Sequence, residues 1–294
     1  MHSYLRAIGF SEIKTRKLLE NVYVSSLKTP NRKMITTTGI DTSLIQFEKD
    51  FGSNRENMGL TLVGEFDING SLSIEHYFPY LKGDTYMEFE NIAVEKQTDK
   101  ESYAGVCEDY RLGMTLIFYM LNISDYAKSK WLNYSNRNLT RVKFSGLSIG
   151  GTILLGVMKD ESQQIYEEKL KKRRNHLLAE AREGNTDAIE SLTLEEMDTY
   201  TTVAGRVRHE DIMSIVETSF MPCGVECDHY MITAHILKVA TITNSYSKEL
   251  IYNLSLKCND IYLNVAINAK DLQGEPAVGR RFRGEIWLQG HVQI

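Results

Sequence analysis

The sequence is poor in cysteine and proline. Its 294 residues include only four cysteines and four prolines. Four cysteines are too few for a disulfide framework in a chain of this length. We therefore expect reduced, partly buried thiols and a reducing compartment.

Long hydrophobic runs are also missing. The longest apolar stretches, residues 114–121 and 147–158, are too short to span a bilayer. The first ten residues contain no apolar core of the length that a signal peptide needs. The formal net charge of -5 gives no overall attraction to nucleic acid or acidic lipid. We therefore predict a cytoplasmic protein that binds neither nucleic acid nor membrane.

The common catalytic motifs are missing as well. The glycines at 146, 150 and 151 precede a strand pattern rather than a helix start, so they indicate strand bends instead of a phosphate loop. The basic run 171–174 follows Glu167 and Glu168 at the spacing of helical ion pairs, which indicates a solvated helix face. We predict no cofactor, and although the sequence does not decide whether the protein is an enzyme, it favours a non-enzymatic role.

The most informative feature that is present is an apparent internal repeat. Tyr77-Phe78-Pro79 and Phe220-Met221-Pro222 stand in similar contexts in the two halves of the chain. Four further pairs follow in the same order and at similar spacing: Tyr86 with Tyr230, Cys107 with Cys258, Asn122 with Asn268, and Phe144 with Phe282. Repeats are sought first because they decide the fold. We predict that the two halves are duplicated lobes.

The periodicity of hydrophobic residues divides the chain into three parts. Alternating patterns predict antiparallel strands in a first lobe, 1–158, and in a second lobe, 212–294. Between them, 159–211 is predicted to be a helical connector, with helices over 161–183, 187–192 and 193–207. The predicted fold class is therefore α+β: two antiparallel β-rich lobes related by internal duplication and joined by a helical connector.

Local signals mark several boundaries within these parts. Ser11 is the predicted N-cap of a helix over 11–27, and Thr193 with Glu196 forms a predicted capping box. Asn69-Gly70 is the strongest hairpin signal in the chain. Pro79 and Pro222 are each predicted to stop a strand, because proline cannot donate to the ladder.

Four short motifs resemble a known family. They are Leu-Arg-Ala-Ile-Gly-Phe at 5–10, Ala-Ile-Glu-Ser-Leu-Thr at 188–193, Pro-Cys-Gly-Val-Glu-Cys-Asp at 222–228 and Ile-Trp-Leu-Gln-Gly at 286–290. The chain is similar, over its whole length, to an uncharacterised domain-of-unknown-function family of clostridial bacteria. The resemblance implies a bacterial cytosolic protein and supplies no activity, so no catalytic residue is carried over.

One cluster has the residue types of a metal site. Cys223, Cys227 and His229 offer thiolate and imidazole ligands of the kind that zinc accepts. A second cysteine pair, which structural zinc sites usually have, is missing. We therefore predict no metal, with these three residues as the only weak candidates, and interpret the cysteines as thiols at a turn.

Two pairs of residues that recur in both lobes are candidate ligand-binding residues: Asp84 with Tyr86, and Asp228 with Tyr230. They are equally compatible with turns that enter strands. The leading hypothesis is a non-catalytic binding or scaffold protein, whose partner is another protein or a second copy of itself. The alternative is an enzyme or small-ligand sensor with its site between the two lobes, where pockets are common.

Overall fold

The structure is a computed structural model. It describes residues 2–37, 43–53, 57–66, 71–96, 102–109, 113–132, 139–156, 161–209, 215–225 and 227–294. Strands predominate and helices are fewer, which confirms the α+β class and its antiparallel sheets. The predicted hairpin turn Asn69-Gly70 lies outside the described residues.

The described helices include four α-helices and two short 3-10 helices. They are a first 3-10 helix Ser3–Ile8, α1 Arg16–Lys28, α2 Ile123–Trp131, α3 Glu161–Arg182, α4 Thr186–Arg206 and a second 3-10 helix Ala269–Asp271. None of the helices in these ranges is long and apolar enough to cross a membrane.

The described strands number sixteen. They are β1 Arg32–Thr37, β2 Ser43–Asp50, β3 Met58–Phe66, β4 Leu72–Leu81, β5 Met87–Glu88, β6 Ile92–Lys96, β7 Tyr103–Asp109, β8 Met114–Met120, β9 Arg141–Ser148, β10 Gly151–Leu154, β11 Ser219–Pro222, β12 His229–Thr243, β13 Leu250–Cys258, β14 Ile261–Asn268, β15 Leu272–Gln273 and β16 Arg281–Val292.

The first four strands form an antiparallel sheet in chain order, β1-β2-β3-β4. The remaining strands form a larger sheet in the order β11-β12-β13-β14-β9-β16-β8-β7-β6, with β5, β10 and β15 paired at its side. Strands from both predicted lobes therefore share the larger sheet. The division into domains stays a prediction.

The antiparallel pair β9–β16 lies at the middle of the larger sheet. Each member has a parallel neighbour on its other side, β14 beside β9 and β8 beside β16, and antiparallel strands follow outward on both sides. Because β16 also pairs with β12, the pairings β12-β13-β14-β9-β16 close into a ring. This ring holds the end of β16 firmly beside β9.

A single buried cluster joins the two sheets, with Leu60 of β3, Phe118 of β8 and Ile232 of β12 among its members. The ring of Phe118 fits between Gly105 and Gly290, where a Cβ atom on either glycine would collide with it. Glycine is required at both positions because the ring approaches the two backbones so closely.

Two predicted helix starts are wrong. The leading helix begins at Arg16 with Thr15 as its N-cap, whose Oγ1 accepts the backbone N–H of Leu18. Ser11 instead donates its hydroxyl to Glu249. The predicted capping box at Thr193 is inside the continuous helix α4, and the Thr193 hydroxyl donates to the carbonyl of Ile189.

The prediction for one proline is also wrong. Strand β4 continues through Pro79 to Leu81, with Pro79 opposite Leu60 of β3. Because β4 is an edge strand, proline costs it no ladder hydrogen bond on the open side. The carbonyl of Pro79 accepts a hydrogen bond from the Gln289 amide. Pro222 does end its strand, as predicted.

Candidate functional site

The two residues of the first predicted ligand-binding pair make different contacts. Asp84 is exposed and makes two hydrogen bonds with Asn264 of β14. Its backbone N–H donates to Asn264 Oδ1 at 3.0 Å, and its carboxylate accepts a hydrogen bond from Asn264 Nδ2 at 3.0 Å. Tyr86 faces a cleft, and its ring carries two cations. Lys143 Nζ lies 4.5 Å and Arg141 Cζ lies 5.0 Å from the ring centroid.

The second predicted pair lies in a different environment. Asp228 accepts the indole N–H of Trp287 at 2.7 Å, and its hydrogen bond to His229 raises the pKa of that imidazole. Tyr230 is buried, which raises its pKa to about 12, and its hydroxyl bonds the backbone of Ile117. Asp84, Asp228 and Tyr230 therefore act as tethers, and Tyr86 is the member of the set that lines a cleft.

The candidate metal ligands lie around the turn between β11 and β12. The Cys227 thiol donates to the carbonyl of His229 at 3.4 Å, and the His229 imidazole contacts Asp228. Desolvation and then the nearby Glu285 raise the pKa of Cys223. Within the ranges that the structure describes, no three His, Cys, Asp or Glu side chains are arranged to hold a metal ion. All four cysteines are free thiols.

A cleft of about 800 Å³ lies where the two halves of the chain meet. Helix α2 forms one wall and the beginning of β6 forms another, while the end of β16 comes from the second half. Apolar side chains of Ile92, Val94 and Val292 line it together with the ring of Tyr126. Both Tyr86 and His291 also border the cleft.

The first residue of the cleft wall is fixed by a buried amide. Asn122, which precedes α2, donates Nδ2 to the carbonyl of Val292 at 2.8 Å and accepts the Val292 N–H at 3.0 Å. This pair of hydrogen bonds imitates a strand pairing. It fixes the start of α2 to the end of β16.

Contacts with the smaller sheet hold the next turn of α2. Gln46 of β2 accepts both the backbone N–H and the hydroxyl of Ser124. Arg32 of β1 binds both carboxylate oxygens of Asp125, at 3.1 and 3.2 Å. The wall of the cleft is therefore built on rigid strands.

His291 is the titratable side chain most affected by this environment. Burial lowers its pKa, and Lys82, Lys143 and Arg32 lower it further, against the opposing effect of Asp125. Its Nδ1 atom is buried and has no hydrogen-bond partner among the residues that the structure describes. The imidazole is therefore neutral at pH 7 and sits among positive charges.

Most of the charges around His291 are paired. Lys82 Nζ lies 2.6 Å from a carboxylate oxygen of Glu48, and Arg32 is held by Asp125. Sequence reasoning missed this site because α2 and β16 are far apart in the chain. The parallel pairing of β16 with β8, the strand that leads into α2, brings them together. Neither the polar residues of α2 nor His291, near the end of β16, form a local sequence motif that indicates a cleft.

A second groove, of about 820 Å³, adjoins the cleft. Its charged side chains are mainly acidic, with Glu88, Glu90 and Glu108 in its lining. Arg182, at the end of α3, binds Glu90 at 2.8 Å. This ion pair attaches the helical segment to the sheet.

The comparison with protein families agrees with the motif resemblance. Residues 5–290 match a family described as a domain of unknown function, DUF3881, after an E. rectale gene description. The chain belongs to this family, which confirms the predicted membership. No curated protein and no solved structure matches the chain.

Proposed function

We propose that this protein is a non-catalytic binding protein whose ligand, a small molecule, occupies the cleft between α2 and the end of β16. The observation that carries the proposal is the position of the cleft at the junction of the two halves, with a histidine of displaced pKa in its wall. Ligand sites are usually concave, mostly apolar, and supplied with a few polar groups. Displaced pKa values also concentrate at such sites.

The state of the thiols supports a role in binding rather than covalent catalysis. Burial raises the pKa of Cys258 to about 12, and desolvation raises the pKa of Cys223. Nucleophilic cysteines need the opposite shift, because the thiolate is the reactive form. A cytoplasmic location, a bacterial source and the absence of nucleic-acid and membrane partners remain part of this proposal.

A variant with a filled cleft tests the proposal. Ser129 is half-buried on α2 and lines the cleft, so Ser129→Trp introduces a large ring there. We expect a metabolite library to yield compounds that raise the melting temperature of the wild type but not of this variant. The control, Ser73→Trp, changes an exposed serine of β4 and retains the response. An equal response in all three proteins would refute the cleft as the binding site.

A scaffold role with a protein partner is the second candidate function. Helix α4 exposes several large apolar side chains; the most exposed are Leu194, Met197 and Tyr200, with 58%, 62% and 77% accessible. Exposed apolar residues of this kind favour contact with another protein, which includes a second copy of the chain. Sedimentation velocity over a range of concentrations would show association that Met197→Glu abolishes; a monomer at every concentration would contradict self-association.

We also propose that the two halves are an internal duplication joined by the helical connector, α3 and α4. The strand order supports it, because β5 to β9 with α2 repeats the pattern of β12 to β16 with the second 3-10 helix. In the first half, β5 pairs with the last strand, β9, and β6 pairs with the next strand, β7. In the second half, the single long strand β12 makes both kinds of pairing, with the last strand, β16, and with the next strand, β13. The last strand of each half also pairs in parallel with a strand of the other half: β9 with β14, and β16 with β8.

The registers support the same correspondence at some predicted pairs and not at others. If Tyr86 corresponds to Tyr230, the pairings of Met87 with Val142 and of Met231 with Glu285 make Val142 correspond to Glu285. Aligning Asn122 with Asn268 gives the same result through the parallel pairings of β9 and β16. By these registers Phe144 corresponds to Trp287 rather than to Phe282. We expect superposed halves to match at Tyr86 with Tyr230 and at Asn122 with Asn268; a match at neither pair would contradict the duplication.

A further inference from the structure

We propose that the ligand of the cleft is a small organic anion with an apolar body, whose negative group is held near Lys143 and Tyr86. This inference rests on the proposed function and adds the chemical class of the ligand. It follows from the balance of charge around the cleft, from the position of one lysine over the Tyr86 ring, and from the apolar walls.

The side chains of the cleft carry excess positive charge. Asp125 is the carboxylate side chain among the described lining residues, and Arg32 already neutralises it. Lys82 is likewise neutralised by Glu48. Within the described part of the chain, three lysines in or beside the cleft form no ion pair: Lys128, Lys130 and Lys143.

Lys143 carries the inference because it is half-buried, whereas Lys128 and Lys130 are exposed and need no partner beyond water. Its ammonium group lies over the face of the Tyr86 ring, 4.5 Å from the centroid. The attraction of the ring for the cation fixes the position of this charge beside the cleft. An anion beside the ring would give the ammonium group a charged partner.

The register of the two central strands places the lysine beside the cleft histidine. Lys143 of β9 pairs directly with His291 of β16, so both side chains leave the sheet on the same face. Tyr86, whose ring lies under the ammonium group, and His291 both line the cleft. The negative group of a ligand is therefore expected at this corner.

The rest of the cleft suits an apolar body. Ile92, Val94, Leu139 and Val292 line it, and the ring of Tyr126 adds an aromatic surface. A volume of about 800 Å³ lies within the range of small-molecule sites, roughly 300–1,000 Å³. Inorganic phosphate alone would leave these apolar walls uncovered.

Three naphthalene probes of different charge test the proposal by isothermal titration calorimetry. They are naphthalene-2-sulfonate, the neutral naphthalene-2-sulfonamide and the cation 2-naphthylmethylammonium. We expect the sulfonate to bind at least about tenfold more tightly than the other two, which is the effect of one charge-assisted contact. Ser129→Trp should abolish this binding.

Variants of Lys143 test its role. Lys143→Met is expected to weaken sulfonate binding by about tenfold, whereas Lys143→Arg retains the charge and most of the affinity. The matched control is Lys257→Met, because Lys257 also lies over a tyrosine ring, that of Tyr262, but on β13. Circular dichroism and the melting temperature verify that each variant is folded.

The outcomes separate this inference from the proposed function. Tighter binding of the sulfonate that is lost in Lys143→Met and in Ser129→Trp supports both. If the sulfonamide or the cation binds as tightly as the sulfonate and Ser129→Trp abolishes that binding, the cleft is a ligand site but the anion inference is wrong. If no probe binds to any form of the protein, the anion inference is contradicted, and the metabolite screen with Ser129→Trp decides the proposed function separately.

Discussion

Single buried polar residues hold the cleft together at the scale of the side chain. Asn122 is nearly inaccessible to solvent, and it satisfies two backbone groups of Val292 that none of the described strands pairs with. The sequence indicated Asn122 only as part of a repeated motif. Its role depends on β16, which no local pattern connects to it.

The Asn122 contact leads to a stability prediction. Asn122→Ala leaves the buried N–H and carbonyl of Val292 without partners, and we expect a loss of about 1–3 kcal/mol in the free energy of unfolding. Chemical denaturation measures it. Asn91→Ala, at an exposed position of the same cleft, serves as the control and should be neutral within about 0.5 kcal/mol. Equal losses in both variants would contradict the assigned role.

His2 leads to a prediction of pH dependence. Its ring packs 4.7 Å from that of Trp287, and burial lowers its pKa from 6.5 to about 4, with Asp228 opposing and His229 assisting the shift. The folded pKa lies below the unfolded one, so the stability that neutral His2 contributes is present above pH 6.5 and is lost as the pH falls toward 4.

Urea unfolding at pH 7.5 and 4.5 measures this effect. The wild type should lose roughly 2–3 kcal/mol more than His2→Leu between the two pH values. The comparison is needed because His229, whose pKa Asp228 raises, contributes in the opposite direction: its stabilisation is present at low pH and is lost as the pH rises. Parallel losses in the two proteins would show that His2 does not titrate as described.

Helix caps show what was predictable at the scale of the element. The sequence predicted the end of α3 correctly, because glycine commonly follows the last residue of a helix. Gly184 occupies that position and adopts a left-handed φ of 88°, which favours glycine. It misplaced the start of α1, because Ser11 and Thr15 are both good caps and the tertiary contact of Ser11 with Glu249 decided between them. The strand periods were easier to interpret, since a buried face repeats at every second residue.

Two variants distinguish the observed start of α4, capped by Asn185, from the predicted helix start at Thr193. Asn185 caps α4 by accepting the N–H groups of Asp187 and Ala188, so Asn185→Ala should cost about 1 kcal/mol. Thr193→Ala should cost nothing, because Thr193 lies in the helix interior, where alanine is the better residue. Amide hydrogen exchange over 186–206 reports both effects. Faster exchange in Thr193→Ala than in Asn185→Ala would restore the predicted capping box.

Glu249 connects distant parts of the whole molecule. Its carboxylate accepts hydrogen bonds from Ser11 at 2.5 Å, Asn268 at 2.6 Å and Lys270 at 3.0 Å. Burial alone would raise its pKa, but these hydrogen bonds outweigh that effect and lower it. The segment before α1 is thereby fixed to the second half of the chain.

Replacing this carboxylate should destabilise the whole fold. Glu249→Gln cannot accept all three hydrogen bonds, and we expect a loss of about 1–3 kcal/mol at pH 7. The lowered pKa means that the stabilisation is present above the unfolded pKa of 4.5 and is lost as the pH falls through the folded value. The variant and wild type should therefore converge in acid. Glu275→Gln, at an exposed position, is the control, and a loss of equal size there would contradict the prediction.

If the two halves are duplicated, they differ at the segment that forms a wall of the cleft in the first half. In the first half a helix of nine residues, α2, follows β8. In the second half the corresponding segment, after β14, is the 3-10 helix Ala269–Asp271, which has three residues. So short a helix cannot form a wall. The sequence predicted the repeat but not this difference between the two halves, because α2 is held by contacts with strands of the smaller sheet that are distant in the chain.

Native mass spectrometry of the protein isolated gently from its own cells tests the central claim most directly. If the cleft holds a small molecule, the wild type and Ser73→Trp will carry an added small mass that Ser129→Trp lacks. A bare chain in all three proteins, or the same added mass in all three, would contradict the claim that this cleft is the binding site.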